Sequence, residues 1–130
     1  MKIQKLAIDG ILAGLIAGVI NVIIYFVAKS MGGISDAVLL PGGDPLMLVP
    51  VILSSVLPGL LAGLLLFGIF KFFSNPVRIF SITACIFLVV SMAGPLVTPG
   101  LPTGMRITLS LMHLAAGSVI IFYLTRGSGK

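Results

Sequence analysis

The chain has no tryptophan, no glutamate, one cysteine (Cys85) and one histidine (His113). Its charge is eight lysines and arginines and three aspartates, 8% of 130 residues. A soluble domain carries about 25% charged residues. So few charges cannot cover a water-facing surface. A single cysteine excludes an intramolecular disulfide and a multi-cysteine metal site, and within its apolar run Cys85 reads as a small packing residue. With only Asp9, Asp36 and Asp44 as acids, no paired carboxylates exist. No P-loop, His-Glu-x-x-His motif or Ser-His-Asp set appears either. No enzymatic activity, metal or cofactor is therefore expected. The net charge of +5 is not a nucleic-acid signature, because the cations sit at segment ends and not on one face.

What the chain does have is apolar length, with 58% hydrophobic residues. A hydrocarbon core of about 30 Å needs about 20 apolar residues as helix. Four segments meet that: Leu6–Ala28, Leu46–Phe73, Val77–Ala93 and Met105–Leu124. The expected fold is an all-α, four-helix transmembrane bundle forming one domain over residues 1–130. Asp44-Pro45, Asn75-Pro76 and Thr103 offer N-caps. "KSMGG" (29–33) and "AGPLVTPGLP" (93–102) supply the stops after spans 1 and 3. The apolar run after "MKIQK" is long for a signal peptide and no convincing A-x-A site follows it, so it is expected to remain as span 1.

Lys2, Lys5, Lys71, Arg78, Arg126 and Lys130 fall on one side, against Lys29 and Arg106 on the other. The positive-inside bias then predicts cytoplasmic termini and a multi-pass protein of the cell's inner (plasma) membrane. The outer loop, residues 30–45, carries Asp36, Asp44 and an apolar "AVLLP" expected at the membrane interface.

Lipid tails are as apolar as leucine, so small residues rather than large ones let helices associate. Gly10, Gly14 and Gly18 repeat every four residues in span 1, and Gly59 and Gly63 do so in span 2; Gly117 lies in span 4. These are helix-packing positions, serving either the bundle itself or a homo-oligomer. Pro50 and Pro58 each remove a backbone donor from span 2; Pro58 is a kink or hinge that frees the carbonyl of Ser54.

Arg106, Ser110, His113 and Gly117 are spaced four, three and four apart, one face of span 4. His113 falls near mid-membrane. An unmet polar group in hydrocarbon costs several kcal/mol, and Asn21, Ser54 and Ser55 lie at comparable depth. Asn21, Ser54, Ser55, Ser110 and His113 therefore form a candidate intramembrane polar cluster, either as glue between helices or as a site. Arg106 lies on the outer side, against both the charge bias and the helix dipole. Asp36 or Asp44 could pair with it, or it snorkels to lipid phosphate. Asp9 sits one turn beyond Lys5, a simple i, i+4 pair.

Two stretches carry a resemblance. "FSITACIFLVVSMAGPL" (80–96) ends in Ser-x-x-Gly-Pro-Leu, and "LSLMHLAAGSVIIFYLTR" (109–126) has Leu-Met-His-Leu before small and β-branched residues. Together they resemble a family of small four-span bacterial membrane proteins known only as a domain of unknown function. The resemblance implies Ser91, Gly94, Pro95, Met112 and His113 as recurring positions, and no activity, substrate or cofactor.

The first functional expectation is a non-enzymatic protein acting by helix–helix association, as a homo-oligomer or accessory subunit of a membrane complex, through the glycine faces of spans 1 and 2. The second is a small-solute or proton channel or transporter with His113, Asn21 and Arg106 along its path. The third is a cofactor module ligated by His113.

Overall fold

The computed structural model describes residues 1–128, so Lys130 and its place in the charge count lie outside it. Four helices follow one another: α1 (Ile3–Ser30), α2 (Leu48–Phe72), α3 (Pro76–Val97) and α4 (Thr103–Ser128). No strand occurs among the described residues, and each helix is long and apolar enough to cross a membrane. The chain is an all-α integral membrane protein. Its helices are apolar all round, with Val19, Ile23, Phe87 and Val90 among many large side chains left facing outward. That pattern suits a helix with lipid on one flank and protein on the other.

Several boundaries differ from the sequence expectation: α1 and α4 run a few residues beyond the expected spans, and Thr103 is the first residue of α4 and not its N-cap. Asp44-Pro45 does not cap α2, which begins at Leu48 after Met47 with no side-chain cap. Pro50 thus falls in the first turn, where no intrahelical donor is needed and no kink arises. Gly94-Pro95 does not end α3, which continues to Val97. Thr98 closes it with both its N–H and its hydroxyl on the Gly94 carbonyl. Asn75 does occupy the N-cap of α3 with Pro76 following, but its side chain makes no capping bond. α2 runs unbroken through Pro58.

α1 packs most extensively on α2 and then on α4; α3 leans on α4 and only lightly on α2, and α1 and α3 do not meet. Leu6, Leu66, Ile69, Phe80, Ile120 and Leu124 form one core cluster. This brings the start of α1, the end of α4 and the α2–α3 turn to the same end of the bundle. A second cluster at the other end gathers Tyr25, Ile34, Leu46, Val51, Leu101 and Met105. The loop between α1 and α2 is folded down there rather than free. The Tyr25 hydroxyl donates to the Leu46 carbonyl at 3.2 Å, and Lys29 pairs with Asp36 at 3.3 Å. Within the loop, a tight turn joins Leu40 and Asp44, with Gly43 at φ 86°, a conformation that favours glycine.

Candidate functional site

Asn21 of α1 is buried and donates through Nδ2 to the Ser55 hydroxyl of α2, at 3.0 Å. Ser55 in turn donates to the Val51 carbonyl at 3.0 Å. Its one proton is thereby used, so Ser55 can only accept from Asn21, which fixes the amide orientation. The Asn21 Oδ1 is left buried with no partner.

Because α3 leans away from α2, a cavity of about 680 Å³ opens between α2, α3 and α4. Asn21 forms part of its wall, with Ser54 from α2, Ser91 from α3 and His113 from α4; everything else that lines it is apolar or glycine. Leu40 and Leu46 of the folded loop also line it, at the end of the bundle where that loop lies. Leu61 and Phe87 line it yet are 63% and 74% exposed, so it opens sideways, toward lipid.

His113 is half-buried and faces this cavity. Its partner is neither Asn21 nor a serine, contrary to the expectation from spacing. The ring Nδ1 lies 2.7 Å from the carbonyl of Leu109, one turn back on the same helix. The Leu109 carbonyl can only accept, so Nδ1 carries the proton of the neutral tautomer that fits this contact. Nδ1–H then donates to Leu109 and Nε2 presents a lone pair. Nε2 has no partner among the described residues.

The candidate cluster thus divides. Asn21, Ser54 and His113 share the cavity, Ser55 stands behind Asn21, and Ser110 lies outside the lining with its buried hydroxyl unpartnered. Ser91, seen in the sequence only as a recurring position, joins them. Its signal was present four residues before Pro95, in the same relation as Ser54 to Pro58.

Arg106 pairs with neither Asp36 nor Asp44. Asp36 is taken by Lys29, and Arg106 folds onto the carbonyl end of α3. Its Nε donates to the Leu101 carbonyl at 3.0 Å and Nη2 to that of Thr98 at 2.9 Å. Nη1 reaches the carbonyls of Pro95, at 3.3 Å, and Leu96. The dipole that disfavours a cation at the start of α4 is outweighed by the one that welcomes it at the end of α3.

The glycines of α1 and α2 face each other. A Cβ at Gly14 would sit 2.7 Å from the Val56 Cα; at Gly10 it would strike the Gly59 carbonyl, and at Gly63 that of Leu6. A Cβ at Gly18 would meet Ser55 and Ile52 only at ordinary distance, and Gly117 makes room for the Leu88 side chain of α3. Gly10, Gly14, Gly59 and Gly63 thus pack α1 against α2 within the chain. Lys5 and Asp9 form the expected pair at 2.7 Å.

Residues 2–130 match a family of unknown function, DUF6069. The chain belongs to that family. No curated protein and no solved structure matches it. DUF6069 membership agrees with the resemblance read from the Ser-x-x-Gly-Pro-Leu and Leu-Met-His-Leu stretches. Both of those stretches lie on the cavity, through Ser91 and through Met112 and His113.

Proposed function

We propose that the chain is a non-enzymatic protein of the inner membrane that binds a lipophilic small molecule in the cavity between α2, α3 and α4. The cavity itself carries this reading. Ligand sites span about 300–1,000 Å³, are mostly apolar and hold a few convergent polar groups; this one, at about 680 Å³ with four polar side chains, fits. Its sideways opening suits a ligand that arrives through the bilayer. No carboxylate and no nucleophile–base pair lines it, which supports binding over catalysis. Conduction is less well supported, because only four polar side chains line the cavity and the rest of its wall is apolar or glycine. Ligation of a metal has no support from clustered donors: no three of His, Cys, Asp and Glu gather among the described residues.

Association remains a second reading, moved to another face. α3 has only Phe80 and Pro95 buried, the fewest of the four helices, so a second copy or a membrane partner would meet the chain there. Cytoplasmic termini are part of the proposal. Lys2, Lys5, Lys71, Arg78 and Arg126 share the end that carries the termini, while Lys29 and Arg106 opposite are held by Asp36 and by carbonyls.

The test is native mass spectrometry of the protein in nanodiscs, wild type beside Ala84→Phe, which fills the cavity. Wild type should release a bound small molecule that the variant lacks, and the same spectrum gives the oligomeric state. Identical contents, both only bulk lipid, would overturn the reading.

A further inference from the structure

The protons of the cavity's polar groups are already committed. Ser54 donates to the Val51 carbonyl at 2.9 Å and Ser91 to the Leu88 carbonyl at 2.7 Å. His113 Nδ1 faces the Leu109 carbonyl, and Asn21 gives one amide proton to Ser55. What remains on these four side chains is lone pairs: two serine oxygens, His113 Nε2 and Asn21 Oδ1. The second N–H of Asn21 is the one uncommitted proton. The two prolines add to this imbalance. Pro58 and Pro95 stand inside their helices, four residues after Ser54 and Ser91. Each lacks the N–H that would bond the serine's carbonyl. Both cavity serines therefore also have a main-chain acceptor without its usual donor.

Acceptors in hydrocarbon are satisfied by a partner that brings protons. From this, and resting on the cavity reading above, we infer that the ligand is an amphiphile whose head donates a hydrogen bond: an alcohol or phenol on an apolar tail. A ketone, ether or ester of the same shape offers lone pairs to lone pairs, and a carboxylate adds an unpaired charge. His113 Nε2 is the primary acceptor, being half-buried and unpartnered. Asn21 Oδ1 is enclosed in the wall and is reached only when neighbouring side chains give way. The hydroxyl of a membrane lipid and that of a free lipophilic alcohol share this chemistry.

The experiment uses the full chain in phosphatidylcholine nanodiscs, whose headgroup has no donor, and two probes with one ring and tail: 4-nonylphenol and its methyl ether. Binding is read by native mass spectrometry, with Ala84→Phe as the blocked cavity. The ¹⁵N resonance of His113 Nε2 is followed in the wild type, so the result does not depend on a variant folding. The phenol should bind roughly tenfold or more tightly than the ether, the size of an unmet hydrogen bond, and should shift the Nε2 resonance. His113→Phe should bring the two probes level. Competition by added phosphatidylglycerol would identify a lipid hydroxyl as the source, and its absence a free alcohol; either supports the inference. Equal binding of both probes, abolished by Ala84→Phe, would overturn the donor requirement and leave the cavity reading intact. A phenol preference with an unmoved Nε2 and an unaffected His113→Phe would also overturn it. No binding of either probe would overturn both.

Discussion

Arg106, in the first turn of α4, donates from Nη2 to the carbonyl of Thr98, the residue that closes α3, at 2.9 Å. One guanidinium thus serves as the C-cap of the preceding helix, an arrangement that needs a planar fork of donors. Arg106→Ala should leave several carbonyls unmet and cost about 1.5–3 kcal/mol, as for other bonds to charged donors. Arg106→Lys should recover only part of this, since an ammonium donates from a single atom. Thermal unfolding in detergent checks both, with the order wild type, lysine, alanine. Lysine equal to wild type would mean that charge alone matters.

The α1–α2 contact predicts a sharp division among glycines. Gly14→Val would press on the Val56 backbone, which cannot move aside as a side chain can. It should destabilise the pair by at least about 1–3 kcal/mol. Gly68→Ala is the contrast: it lies in the same helix as Gly59 but meets nothing within 4 Å, and should be neutral or stabilising by about 0.5–1 kcal/mol. Urea unfolding followed by circular dichroism separates them.

Those glycines illustrate what the sequence can and cannot state. A four-residue repeat of glycine marks a close approach but not its partner. The answer, α2 of the same chain, came from the complementary repeat at Gly59 and Gly63. The four spans were legible because an apolar run of about 20 residues matches the thickness of a bilayer core and little else in a chain so poor in charge. The end of α3 was not, because Gly-Pro is a stop signal in water, whereas here Arg106 supplies the donors that let the helix run on to Val97. His113 was legible as a polar residue at the level of Asn21 and Ser54, which share its cavity, but its spacing could not reveal that the Leu109 carbonyl, four residues back, would accept its Nδ1–H. The cavity depends on how far α3 stands from α2, a relation between helices that no single-helix pattern encodes.

The shared end of the bundle makes a prediction about sidedness. A fluorescent protein fused after α4 should light up in cells, and alkaline phosphatase at the same place should be inactive, as a cytoplasmic C-terminus requires. A phosphatase inserted in the tight turn at Gly42–Gly43 should be active. The reverse pattern would place the α1–α2 loop in the cytoplasm.

The Asn21–Ser55 bond separates stability from binding. Interhelical hydrogen bonds in membranes average only about 0.6 kcal/mol, because the unfolded chain also finds partners. Here the gain is further offset by the buried Oδ1, which no group meets. Asn21→Leu removes the bond and the unmet acceptor together, keeps the number and branching of side-chain heavy atoms, and leaves Ser55 still bonded to Val51. Its unfolding free energy should therefore stay within about 1 kcal/mol of wild type. Ligand retention should nonetheless fall, since the variant removes one of the four polar groups on the cavity wall. Measured together in nanodiscs, unchanged stability with reduced retention assigns Asn21 to the site. A large loss of stability with retention preserved would instead make it a structural bond between α1 and α2.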